Sequence, residues 1–182
     1  MALETEIKLR LPEDSAPIFT ALSRLGYQAG PRTLEVDQMY DRLDGALKVT
    51  RRLLRLRLRG TRWTLTFKAP PTTGPHKSRE ELETDVSDAK AFVGILSSLG
   101  FFPTFRYEKH RTTFRAEGAA GFVTLDETPI GKFLELEGEP AWIDRTAADL
   151  GFAAAEYITL SYASLYQEHR LTHPTVPEDM TF

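Results

Sequence analysis

The sequence predicts an α+β fold: eight short antiparallel strands closed into a barrel-shaped tunnel, with a charged lumen and helices packed outside. Three observations lead there. In Leu3-Glu4-Thr5-Glu6-Ile7-Lys8-Leu9-Arg10-Leu11, successive side chains of an extended strand point to opposite faces. Glu4, Glu6, Lys8 and Arg10 therefore share one face, and Leu3, Thr5, Ile7, Leu9 and Leu11 the other. The same split, with several charges on a single face, recurs in segment after segment. Second, turns join most of these segments, and closing an antiparallel sheet on itself removes the edges that promote aggregation. Third, the predicted helices carry apolar stripes that need a partner, so the apolar strand faces belong outside, beneath the helices, and the charged faces inside.

Taken in order, Pro12 to Ser15 starts a helix with Ile18, Phe19, Leu22 and Leu25 at helical spacing, and Gly26 stops it. Leu34 to Asp41 reads as a second strand, turned by Arg42 to Gly45, with room for one helical turn before Arg52. Leu53 to Arg59 alternates without a fault, placing Arg55, Arg57 and Arg59 opposite Leu54, Leu56 and Leu58. Across the turn at Gly60-Thr61, Arg62 to Lys68 opposes Trp63, Leu65 and Phe67 to Arg62, Thr64, Thr66 and Lys68, which makes a hairpin. Ala69 to Ser78 reads as an exposed loop, either a plain connector or a lid. A fifth strand, Arg79 to Asp85, has Arg79, Glu81, Glu83 and Asp85 in phase. Ser87 or Asp88 then caps a helix with Phe92, Ile95, Leu96 and Leu99, ending at Gly100. Leu25-Gly26-Tyr27 and Leu99-Gly100-Phe101 resemble each other, a hint of internal duplication. Phe105 to Arg115, Phe122 to Glu127 and Phe133 to Glu137 complete the strands, followed by helices at Asp144 to Leu150 and Glu156 to about Arg170.

Size and composition narrow the function. The chain has 182 residues, one domain's length. At 41% hydrophobic and 27% charged it has the composition of a globular protein. A net charge of -3 provides no basic field to gather nucleic acid. No cysteine is present, which removes disulfides, thiol catalysis and cysteine-ligated zinc. No apolar run approaches the roughly 18 residues of a membrane span. A cytoplasmic location, with neither nucleic acid nor membrane as partner, is the expectation.

A lumen this charged needs a charged guest. Burying a lone charge costs several kcal/mol, and a buried ion pair used only for stability does no better than apolar packing. Lys8, Arg55, Arg57, Lys68, Lys109 and Arg111 supply positive charge, and arginine forks match phosphate oxygens. Glu4, Glu6, Glu81, Glu83, Asp126, Glu135 and Glu137 would repel a polyanion unless a cation stood between. Hard carboxylate oxygens suit Mg²⁺ or Mn²⁺. A polyphosphate with a divalent metal answers both sets.

The motifs carry a resemblance. Glu4-Thr5-Glu6-Ile7-Lys8 is similar to the Glu-x-Glu-x-Lys signature of the CYTH superfamily, the triphosphate tunnel metalloenzymes. The resemblance continues through Asp37-x-x-Tyr40-Asp41, Leu54-Arg55-Leu56-Arg57, Leu65-Thr66-Phe67-Lys68, Glu81-x-Glu83, Glu108-Lys109-x-Arg111, Leu125-Asp126, Gly131 to Glu137 and Ser161 to Leu165. It implies one tunnel domain over residues 1–170, and the polar, proline-bearing residues 171–182 read as a loose tail. It also implies triphosphate binding by Lys8, Arg55, Arg57, Lys68, Lys109 and Arg111, with Lys8, Arg57 and Lys109 assigned to catalysis. The metal would be held by Glu4, Glu6, Asp126, Glu135 and Glu137, with Glu81 and Glu83 as secondary ligands, while Arg79, Arg10 and Arg59 are either accessory to the site or engaged in surface or structural ion pairs. The substrate is then a small-molecule triphosphate, and a homodimer is left open.

The stretch Ile95 to Pro103 leading to Tyr107-Glu108-Lys109-His110-Arg111 resembles the bacterial class IV adenylyl cyclase branch, which converts ATP to cyclic AMP and pyrophosphate. A triphosphatase acting on inorganic, thiamine or nucleoside triphosphate needs the same tunnel, as does a non-catalytic polyphosphate-binding module or, least expected, a barrel of purely structural ion pairs. No residue identifies an adenine pocket. Asp37 and Tyr40 are expected near the tunnel mouth, Tyr40 equally as packing. His76, His110, His169 and His173 lack metal-ligand spacing.

Overall fold

The computed structural model describes residues 2–182. The chain runs β1 (Ala2–Arg10), α1 (Ala16–Arg24), β2 (Gln28–Ala29), β3 (Thr33–Asp41), α2 (Ala46–Val49), β4 (Leu53–Arg59) and β5 (Arg62–Lys68). It continues as β6 (Lys77–Val86), α3 (Ala89–Ser98), β7 (Phe102–Arg115), β8 (Gly121–Thr128), β9 (Gly131–Gly138), α4 (Pro140–Asp149) and α5 (Tyr162–Thr172). The strands pair antiparallel in the order β7-β3-β4-β5-β6-β1-β9-β8, and β8 pairs back onto β7. The eight-stranded barrel is thereby closed, and the two residues of β2 add to the end of β7.

Alternation decides which face lies inside. Ile7 and Leu9 of β1, Val123 of β8 and Leu134 and Leu136 of β9 point outward, under Ile18 and Leu22 of α1 and Trp142, Ile143 and Ala147 of α4. A second outer cluster sets Tyr40, Leu54, Leu56 and Trp63 under Phe92 and Leu96 of α3. Each such aliphatic burial contributes about 1.5–3 kcal/mol. The core of this protein is therefore a shell around the barrel. Trp142 lies so close to the paired Gly121 and Gly138 that a Cβ on Gly121 would fall 2.5 Å from its ring. Only glycine lets α4 seat there.

A third cluster closes one end of the lumen. Inward-facing Tyr107 of β7 and Phe133 of β9 meet Tyr162, Leu165 and Tyr166 of α5, with Met180 against them. The tunnel is consequently blind, with one open mouth.

Several boundaries depart from the sequence reading. β6 begins at Lys77, so the loop spans only 69–76, and the backbone bond from Ala69 N–H to the Glu80 carbonyl ties its start. The last helix starts at Tyr162, not Glu156, because Ile158 pairs its backbone with Lys8 and Ser161 caps the helix by accepting from Ser164 N–H. α4 starts at Pro140, where proline's missing N–H costs nothing. The Leu-Gly ending recurs at Leu150-Gly151, and Gly26, Gly100 and Gly151 all have φ between 82° and 88°. The shared dipeptide is thus a helix stop. The tail is not loose. Glu108 N–H donates to the Met180 carbonyl at 2.8 Å, Met180 N–H donates to the Arg106 carbonyl at 3.0 Å, and the Met180 side chain is fully buried. The tail's few apolar residues, Leu171, Val176, Met180 and Phe182, carry no strand or helix periodicity, so only the fold reveals the Met180 socket. No helix among the described residues is long and apolar enough to cross a membrane.

Met180→Ala should lower stability by about 2–5 kcal/mol, the range for emptying a buried methionine site. Urea denaturation checks this, and an unchanged midpoint would mean that the tail is not docked.

Candidate active site in the barrel lumen

The lumen holds a cavity of about 470 Å³, and all six predicted phosphate-binding residues, Lys8, Arg55, Arg57, Lys68, Lys109 and Arg111, line it. The ladders order its wall in depth. At the plugged end, Arg10 and Asp126 both pair with Phe133. One step outward Lys8 and Thr124 flank Glu135, and at the mouth Glu6 and Phe122 flank Glu137. Lys8 and Lys109 are each only 2% exposed. Such burial of charge is tolerable only with partners.

Those partners come largely from β3 and β8. Asp37 of β3 is fully buried and takes Arg57 through both carboxylate oxygens, at 2.7 and 3.2 Å, with Arg55 at 3.4 Å. Glu35, two residues earlier on the same face, lies 3.3 Å from Arg57, 3.0 Å from Arg59 and 3.6 Å from Lys109. Burial works to raise its pKa, but Arg57, Lys109 and Arg111 outweigh it and hold the carboxyl at about 2. Asp126 of β8 accepts from Arg111 at 2.6 and 2.5 Å, from Lys109 at 2.7 Å and from the Tyr162 hydroxyl at 2.8 Å. The Tyr162 ring lies 5.3 Å beneath the Lys8 ammonium and 5.0 Å beneath that of Lys109. Attractive contact with the ring face helps hold two desolvated lysines.

Two of the carboxylates toward the mouth, Glu81 and Glu137, are less settled. Burial works to raise Glu6 and Glu135 as well, but Lys8 and Lys77 hold the first low and Arg111 and Lys8 the second. Glu4 pairs with Lys68 at 2.5 Å, Glu6 with Lys77 at 2.8 Å, Glu81 with Lys68 at 2.9 Å and Glu135 with Lys8 at 3.1 Å. Glu135 also meets Arg111. Among the described residues Glu137 has no such partner. Burial, then Glu4 and Glu6, push the Glu137 carboxyl up to about 7. Burial chiefly, with Glu4 adding to it, does the same to Glu81. Crowded oxygen donors held near neutrality suit a hard divalent cation, which would relieve the repulsion. No three such groups among the described residues are already at ligating spacing, with Glu4 and Glu6 turned onto lysines.

The remaining predicted residues divide. Arg79, Glu81 and Glu83 line the lumen, with Arg79 8% exposed. Arg59 lines it at its outer end and is half-exposed. Arg10 lies outside the cavity, donating to the Ile130 carbonyl and resting on Phe133. Asp37 sits behind the arginines, not at the mouth, and Tyr40 packs in the outer cluster under α3. Asp126 likewise stands behind the cations, its oxygens already taken. His76 bonds to Asp144 at 2.8 Å, and His169 stacks on His173.

Sequence reasoning missed Glu35, Lys77 and Tyr162. Glu35 already lies in the predicted strand Leu34 to Asp41, in phase with Asp37, while Lys77 is two residues from Arg79 and the period of two would have found it had that strand been extended. Burial first, then Lys8 and Arg79, bring the Lys77 ammonium down to about 8. Tyr162 carried no such signal, since a helix that plugs a barrel is recognised only by its docking.

Glu137→Gln should stabilise the metal-free protein at pH 8 and leave it little changed at pH 5. A carboxyl whose folded pKa lies near 7 favours folding while protonated, and that contribution is lost as pH rises from about 4.5 through 7. Glutamine cannot ionise. Melting curves at both pH values check this; an equal shift at both would reject the carboxylate crowding.

Comparison with known proteins agrees with this geometry. The CYTH domain family matches residues 2–158. A Methanocaldococcus jannaschii protein provisionally named an adenylate cyclase is 27% identical over 135 residues, covering 74% of this chain and 76% of its own. The solved structure of a Pyrococcus horikoshii protein superposes with a TM-score of 0.76 at 25% identity, covering 92% of this chain and 99% of that one. A Hippeastrum protein, provisionally named an adenylyl cyclase and described as having a dominant triphosphatase activity, shares the fold. Its TM-score is 0.64 at 18% identity, over 91% of this chain and 96% of its own. A closed antiparallel barrel with a charged, one-mouthed lumen, matched along most of its length, belongs to the CYTH family, whose members are generally metal-dependent enzymes acting on triphosphates.

Proposed function

We propose that this protein is a divalent-metal-dependent enzyme acting on a triphosphate, with ATP cyclisation to cyclic AMP and pyrophosphate as its reaction. The observation that carries the reading is the depth ordering of the lumen. The buried cations of the inner layers are braced by Asp37, Glu35 and Asp126, the two carboxylates pushed up to about 7, Glu81 and Glu137, lie toward the mouth, and the far end is plugged. A triphosphate then enters with its terminal phosphate first, and the phosphorus that bears the substituent stays beside the carboxylates.

In this reading Lys8, Lys109 and Arg111 hold the inner phosphates, while Arg55, Arg57 and Lys68 hold the wall side of the chain through charge-assisted bonds. Lys8, Arg57 and Lys109 offset charge as the pyrophosphate departs. Glu4, Glu6 and Glu137, with Glu135 and Glu81 beside them, would hold Mg²⁺ or Mn²⁺, which when bound supplies Lewis-acid polarisation of phosphate oxygens. Asp126 and Glu83 serve instead to position Lys109, Arg111 and Arg55. Arg79 and Lys77 add positive charge near Glu4 and Glu6. The ribose 3′-oxygen attacks the α-phosphorus, the bond to the bridging oxygen of the pyrophosphate breaks, and the hydroxyl proton passes to whichever of Glu81 and Glu137 the metal leaves unligated.

Hydrolysis is the second reading. A mouth carboxylate that the metal leaves unligated can equally take a proton from water, and the Hippeastrum neighbour is described with triphosphatase activity. Residues 171–182 act with the domain, since the tail braces the plug.

Incubation of purified protein with ATP and Mg²⁺ or Mn²⁺ should yield cyclic AMP and pyrophosphate, abolished by chelation. ADP and phosphate would establish the hydrolase instead, and tripolyphosphate binding without turnover would leave a binding module. Arg57→Ala should weaken triphosphate binding by about 2–5 kcal/mol, the scale for truncating one side of a buried charge pair. Calorimetry reads this, and unchanged affinity would reject the lumen as the phosphate site.

A further inference from the structure

Phe122 is out of place in a lumen of charges. It occupies an inward position of β8 at the mouth, paired across the ladder with Glu137, and is half-buried. The Arg115 guanidinium lies 4.6 Å above its ring. Arg115 is itself exposed, so the outer face of this stack is open to solvent. Leu3 completes the rim and is 68% exposed.

These three residues line two spaces at once. One is the lumen, and the other is an adjoining groove of about 520 Å³ walled by Ala119, Gly121, Gly138 and Pro140. A group tethered to a phosphate chain in the lumen would lie over them as it leaves the mouth. The wall is firm, because Trp142 presses directly on Gly121 and Gly138 next to Phe122. Its small residues leave room for something flat, while Glu4, Glu137 and Glu139 along the groove disfavour a further anion. Guanidinium and phenyl planes both stack on heteroaromatic rings, whatever hydrogen-bonding pattern those rings carry.

We infer that Phe122, Arg115 and Leu3 form a stacking platform for a flat heteroaromatic ring joined to the triphosphate. The inference rests on the triphosphate reading of the lumen and deepens it. The substrate class becomes ring-bearing triphosphates, and inorganic triphosphate is left with no use for the platform. Two sources share this chemistry, a nucleobase and the rings of thiamine.

The test is calorimetric titration, with Mg²⁺ present and methylene-bridged analogues used to stop turnover, of ATP, thiamine triphosphate and inorganic tripolyphosphate in those non-cleavable forms. Wild type is compared with Phe122→Ala, and with Arg115→Ala should Phe122→Ala misfold. Loss of a stacking surface is expected to weaken at least one ring-bearing ligand about tenfold while tripolyphosphate changes less than twofold. Whichever ligand loses affinity identifies the ring. Equal loss for all three ligands, or no loss for any, overturns the platform while leaving the lumen assignment intact. Should wild-type protein bind none of the three, the triphosphate reading falls and takes the platform with it.

Discussion

Closure of the barrel imposes one demand on everything inside it: each charge that alternation sends inward must find a counter-charge within a few ångström or remain expensively desolvated. The inner layers meet that demand with fixed pairs. Asp37 holds Arg57 and Arg55, Asp126 holds Lys109 and Arg111, and Glu35 reaches four cations. Asp37 and Asp126 do not compete for a guest, because their oxygens already accept hydrogen bonds, whereas Glu35 keeps one buried oxygen without a hydrogen-bond partner among the described residues. All three preorganise the basic side chains, which is what a site for developing phosphate charge requires.

Toward the mouth the demand is met incompletely, and there the chemistry becomes available. Glu137, with no ion-pair partner among the described residues, and Glu81 beside Glu4 are carboxylates in excess of local positive charge. Stability is given up at the layer where a metal would return it. The apolar shell outside the barrel makes this tolerable, since the strands bury Ile7, Leu9, Leu134 and Leu136 fully on their outer faces.

Legibility differed by element. The strands were readable because a period of two is written in neighbouring residues. Leu53 to Arg59 needed nothing else, and the six basic residues derived from such runs all line the cavity. Lys77 was hidden by prolines and a glycine in the preceding loop, although its strand pairs Lys77 with Glu6 of β1. Asp126 was read as one carboxylate among several, since its sequence neighbours do not reveal that two cations and a tyrosine already surround it.

The sequence by itself determined the barrel, the inward charges and the family to which the motifs belong, because alternation and spacing are local properties of a strand. Only the tertiary structure decided that α5 and Met180 stop one end of the tunnel. The same holds for the assignment of Asp37, Glu35 and Asp126 to brace cations while Glu137 stays free, and for the place of Phe122 beside Arg115 at the mouth. Those outcomes depend on strand stagger and helix docking, which bring together residues far apart in the chain, and no local periodicity encodes such contacts.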